Sequence, residues 1–75
     1  MEIVFSRHAK RRAKLYKITL SAIENQLIDL KLENGNHNII SEIAGFNYPI
    51  KIVVFVEGNT LTVITNYPLK KGRNK

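Results

Sequence analysis

A chain of 75 residues has room for one domain, 1–75, and a small core. Hydrophobic content of 44% suits a folded chain, and the lack of cysteine excludes disulfides and thiolate metal sites. The net charge of +6 points towards polyanions, and its distribution says more than its size. Residues 1–17 hold Arg7, Lys10, Arg11, Arg12, Lys14 and Lys17 against Glu2 alone. Residues 18–69 hold Lys31 and Lys51 against Glu24, Asp29, Glu33, Glu42 and Glu57. Lys70, Lys71, Arg73 and Lys75 follow. Two basic ends around a mildly acidic middle predict a polyanion site if the fold joins them. The competing expectation is that both ends are simply solvated. For 70–75 the expectation is a flexible tail, since Lys-Lys-Gly-Arg-Asn-Lys offers nothing to bury.

In chain order, Glu2 to Phe5 alternates as a short strand, and Ser6 is a favourable N-cap for a helix over Arg7 to Leu15. Phe5, Ala9, Ala13 and Tyr16 then share the core-facing side. His8 and Arg12 lie one turn apart on an adjoining face with Arg11 nearby. Lys10, Lys14 and Lys17 are expected to point elsewhere. Thr19 caps a second helix, with Ile18 stapling onto Ile23, and Leu20, Ile23, Leu27 and Leu30 form its apolar stripe. Asn34-Gly35-Asn36 is expected to end that helix, leaving His37 in an exposed turn.

Residues 38–44 are read as a strand and Phe46-Asn47-Tyr48-Pro49 as a loop. Gly58-Asn59 suits a two-residue hairpin turn between Ile50 and Tyr67. The expected register pairs Val56 with Leu61, Val54 with Val63, Ile52 with Thr65 and Ile50 with Tyr67. That places Tyr67 on the core side and Val53, Phe55 and Ile64 on the outer face, where they need a cover. The fold expected is α+β: a short N-terminal strand, two helices, then an antiparallel sheet of about three strands with a C-terminal hairpin.

His37 and His8 are far apart and lack flanking ligands, so no metal is expected, and no motif calls for a cofactor. The longest unbroken apolar run, Ile52 to Val56, is too short to span a membrane, and Met1-Glu2 does not open a signal peptide. A cytoplasmic location without membrane association is the expectation.

The segment His8-Ala9-Lys10-Arg11-Arg12, then Ile18-Thr19, then Val63-Ile64-Thr65-Asn66-Tyr67-Pro68 resembles a family of small bacterial and archaeal domains of unknown function. The pattern of that family is Ser-x-His-Ala, an arginine one turn on, Ile-Ser/Thr and a final Thr-x-Tyr-Pro hairpin, and the match runs along nearly the whole chain. The element order is more distantly similar to BrnT- and RelE-like toxins, which are metal-independent ribonucleases. Where the family has a second arginine followed by glycine, this chain has Tyr16-Lys17, which weakens the carry-over of any phosphate contact at that arginine unless Lys17 or Arg11 substitutes.

Metal-free RNA cleavage needs a base for the 2′-hydroxyl, a cation for the phosphorus centre and an acid for the leaving oxygen. His8, near a helix start where the backbone dipole favours an uncharged ring, is the candidate base. Free N–H groups of the same turn can hold a phosphate, and Arg12 can grip a nonbridging oxygen with its fork. Tyr67 is the candidate proton donor or base-stacking platform. Arg7, Arg11, Lys17, Lys71 and Arg73 are the candidate nucleic-acid contacts, Lys71 or Arg73 closing over the substrate. Each has a structural alternative: His8 bonded to the sheet edge, Arg12 paired with Glu42 or Glu57, and Tyr67 buried.

The leading expectation is a toxin-like, RNA-directed protein, a metal-independent ribonuclease of the toxin–antitoxin kind. The alternatives are a noncatalytic nucleic-acid-binding module on the same helix, or a small interaction domain. In the latter, Val53, Phe55 and Ile64 would meet an antitoxin or a second copy.

Overall fold

The computed structural model describes residues 2–69. Its elements are β1 (Glu2–Phe5), α1 (Arg7–Leu15), α2 (Leu20–Leu27), β2 (Gly35–Ser41), β3 (Ile50–Glu57) and β4 (Thr60–Pro68). The architecture is α+β, with both helices on one face of a four-stranded sheet ordered β1-β4-β3-β2. β1 falls at Glu2–Phe5 as expected, and its partner in the sheet is what the sequence left open. β1 joins as an edge strand parallel to β4, with Ile3 opposite Leu61 and Phe5 opposite Val63. Among the described residues no helix is long and apolar enough to cross a membrane.

Both helices start where their caps dictate. Ser6 Oγ accepts the Ala9 N–H at 3.0 Å, and Thr19 Oγ1 accepts that of Ala22 at 3.1 Å, each satisfying one of the first-turn donors that a helix leaves free. Ala9 and Ala13 are buried without bulk, so the α1 backbone can approach the sheet closely. Ile18, Ile23 and Leu27 complete the helical side of the core. Ile50, Ile52, Val54, Val56, Leu61 and Val63 supply the other side from alternate positions of β3 and β4.

α1 ends in a Schellman motif: Ile18 N–H reaches the Ala13 carbonyl at 2.8 Å and Lys17 N–H that of Lys14 at 3.2 Å. The motif needs a left-handed residue, and Lys17 supplies it at φ 59°. Glycine is the usual occupant, because a Cβ there crowds the following carbonyl.

α2 is shorter than expected. It stops at Leu27, with Ile28 as its cap, although Leu30 continues the helical spacing. Leu30 and Leu32 are half-buried while Lys31 and Glu33 are exposed, so this stretch follows a two-residue period as extended chain. β2 accordingly begins at Gly35, not at 38. His37 therefore lies within a strand rather than in a turn, opposite Val54, with its Nε2 2.6 Å from the Glu33 carbonyl oxygen.

The hairpin turn falls at Gly58-Asn59, with Gly58 at φ 64° as a tight turn demands of its first central residue. Val56 faces Leu61 and Val54 faces Val63, as expected. Beyond them the register shifts, because Val53 faces Thr65 and Ile64 is left without an opposite residue. This bulge moves every later residue of β4 to the other face. Ile52 thus faces Asn66 rather than Thr65, and Ile50 faces Pro68 rather than Tyr67. Tyr67 lies on the outer face opposite Lys51, whose Nζ is 6.0 Å from the ring centroid. The core-side placement predicted for Tyr67 is corrected on this ground.

Replacing Lys17 with glycine should relieve the left-handed strain. The expected gain is about 1 kcal/mol, or a rise in thermal midpoint of about 4–8 °C. A midpoint unchanged or lowered would show that the Lys17 backbone is not strained.

Candidate nucleic-acid interface

The basic helix is aimed by the residue before it. Ser6 N–H donates to the Val63 carbonyl at 3.0 Å, and Ser6 Oγ–H to that of Ile64 at 2.8 Å. The helix N-terminus is thereby fastened to the bulge of β4. A turn later the buried Asn66 side chain donates through Nδ2 to the Ala9 carbonyl at 3.2 Å, while its Oδ1 is buried without a partner. With Ala9 and Ala13 held against the sheet, His8, Arg11 and Leu15 are turned outward.

Arg12 Nε–H donates to His8 Nε2 at 3.4 Å, a long bond that joins residues one helical turn apart. It engages the Nε2 lone pair, so it forms with the proton on Nδ1 of a neutral ring. Arg12 is not spent on the carboxylates considered from sequence. Glu57 projects from the far face of the sheet, and Glu42 belongs to the separate 42–49 loop depression, of about 410 Å³.

His8, Arg11, Arg12, Lys14 and Leu15 line an open depression of about 550 Å³ along α1. Three of the five are cations and none is a carboxylate. Arg7 with Arg11, Lys10 with Lys14, and Arg11 with Lys14 stand three or four residues apart, where like charges repel by a few tenths of a kcal/mol each. The first turn has no acidic residue to set against them, and only Arg12 and Lys14 benefit from the C-terminal end of the helix dipole. Helix stability alone therefore gives no reason for this charge pattern.

Of the residues singled out from sequence, the structure brings together His8, Arg11 and Arg12. It adds Lys14, which was expected to point elsewhere, and Leu15, which is 64% exposed. Their spacing carried the signal, since Lys14 and Leu15 follow Arg11 by three and four positions. Arg7 is exposed at the helix start, outside the depression, and Lys17 is exposed at the C-terminal turn. Tyr67 is not brought to His8, because its ring projects from the opposite face of the sheet. Lys71 and Arg73 lie outside the described residues. Among the described residues no three His, Asp or Glu side chains converge as a metal site would require. Comparison of the chain with family models, with curated proteins and with solved structures finds no match in any of the three.

Ser6→Ala should cost about 1–2 kcal/mol, since it removes a helix cap together with the bond to Ile64. Urea unfolding followed by circular dichroism measures this. A loss below about 0.5 kcal/mol, the ordinary range of a surface substitution, would show that Ser6 does not anchor α1.

Proposed function

We propose that this protein binds RNA through the outward face of α1. The observation that carries the reading is the depression in which His8, Arg11, Arg12, Lys14 and Leu15 gather without a carboxylate among them. Uncompensated guanidinium groups suit phosphate oxygens, and an exposed leucine beside aliphatic arginine stems offers a base an apolar surface. The preference for RNA over other polyanions rests on the distant likeness in element order to metal-independent ribonuclease toxins.

Fluorescence anisotropy with a labelled single-stranded RNA at several salt concentrations tests the reading. Affinity should fall steeply with salt, by about 0.7 logarithmic units per tenfold change for each phosphate neutralised. Substituting Arg11 and Arg12 by alanine should flatten that slope by about 1.4, whereas Lys10→Ala, outside the depression, should leave it nearly unchanged. Equal losses per charge removed would mean a diffuse positive cloud and no site.

A second reading, metal-independent cleavage, draws on the closeness of His8 and Arg12, and it requires Arg12 to leave His8 Nε2 for the phosphate so that the ring's one lone pair is free. His8 would take the 2′-hydroxyl proton and Arg12 would hold the phosphate as charge develops on it. A proton donor for the leaving oxygen is still needed, and Tyr67 faces away. If this reading holds, single-stranded RNA is cut in the presence of EDTA, leaving 2′,3′-cyclic phosphate ends, and DNA is untouched. His8→Ala should then slow cleavage by about 10²- to 10⁴-fold, while His37→Ala retains it. Equal activity of both variants and the unaltered protein would remove His8 from the chemistry.

A further inference from the structure

The helices cover one face of the sheet and leave the other open. Ile40, on β2, is 61% exposed, and Phe55 and Ile64 are each 37% exposed on the central strands. Val53 lies between Phe55 and Lys51 on the same face. Charge on this face is confined to its ends: Lys51 stands at one, Glu57 and Glu2 at the other, beside the hairpin turn.

We infer that this face is the contact between two copies of the chain, packed with their strands antiparallel. The inference is independent of RNA binding on α1. Face-to-face sheets pack about 10 Å apart with their strands nearly aligned. A two-fold axis crossing β3 above Val54, perpendicular to the strands, lays each β3 over the other in reverse. Val53 then meets Phe55 of the other copy, and Lys51 meets its Glu57. Each contact occurs twice, as a two-fold contact must. An axis along the strands would instead bring the Lys51 ends together and the Glu57 ends together, which like-charge repulsion opposes. RNA is the weaker occupant, because the face carries two carboxylates against one lysine. Four strands at the usual spacing offer roughly 400 Å² of sheet per copy. A stable interface takes about 800 Å² per partner, so the dimer is weak and reversible.

Sedimentation equilibrium of the full chain, from about 5 μM to about 1 mM to cover weak association, should show the mass rising from 8.6 kDa towards twice that value. Phe55→Lys, checked for folding by circular dichroism, should weaken association by at least about 10-fold. Lys51→Glu and Glu57→Lys should each weaken it by about 3- to 10-fold. The double exchange, in which opposite charges face each other again, should recover to within about 3-fold of the unaltered protein. A chain that stays at 8.6 kDa throughout, or a dimer indifferent to Phe55→Lys, overturns the interface. Failure of the double exchange to recover overturns the antiparallel arrangement. RNA affinity lost in Phe55→Lys, with the unaltered chain monomeric, would assign the face to RNA instead.

Discussion

One extra residue in β4 organises this molecule. Ile64 has no opposite residue on β3, so Ile64 and Thr65 both miss the core and Asn66 enters it. The bulge also directs the carbonyls of Val63 and Ile64 to Ser6. Ser6 turns that attachment into the start of α1, and Asn66 binds the same helix one turn later. The position of the basic face thus follows from an irregularity in a strand, through a serine that is a strand neighbour and a helix cap at once. Asn66 carries a cost, since its buried Oδ1 has no partner and an unpaired buried acceptor is unfavourable. Its bond to Ala9 stands against that cost.

Signals that act over a few residues were legible in the sequence. Both caps, the start of each helix, the Gly58-Asn59 turn and the pairs nearest that turn follow from local chemistry. The bulge does not, because nothing in Val63-Ile64-Thr65-Asn66 distinguishes a regular strand from one that gains a residue. What retains Ile64 in its bulge is a serine on another element. Tyr67 was misplaced for that reason. The end of α2 was misread because Leu27 and Leu30 fit a helix as well as Leu30 and Leu32 fit an extended chain. The pairing of β1 with β4 is set by contacts between the two ends of the fold, which no local pattern encodes.

The candidate site was half legible. His8, Arg11 and Arg12 were grouped by helical spacing, and the structure groups them too. Lys14 and Leu15 were overlooked because charge and apolarity were sorted to separate faces, whereas this helix mixes them. Tyr67 was grouped with His8 on a resemblance of motif, and the sheet separates them. The result is a molecule with two dissimilar surfaces: a cationic helix on one side and, on the other, a sheet face whose charges stand only at its ends.

The parallel pairing of β1 with β4 also bears on how the chain comes to be folded. The bond from Ser6 to Ile64 spans 58 residues. A ribosome adding 5–20 residues per second needs roughly 3–12 s to synthesise that interval. Through that time β1 has no strand to join, and Ala9 and Ala13 have no sheet to cover. The helix whose face is proposed to meet RNA therefore spends its first seconds without the strand that will hold it in place.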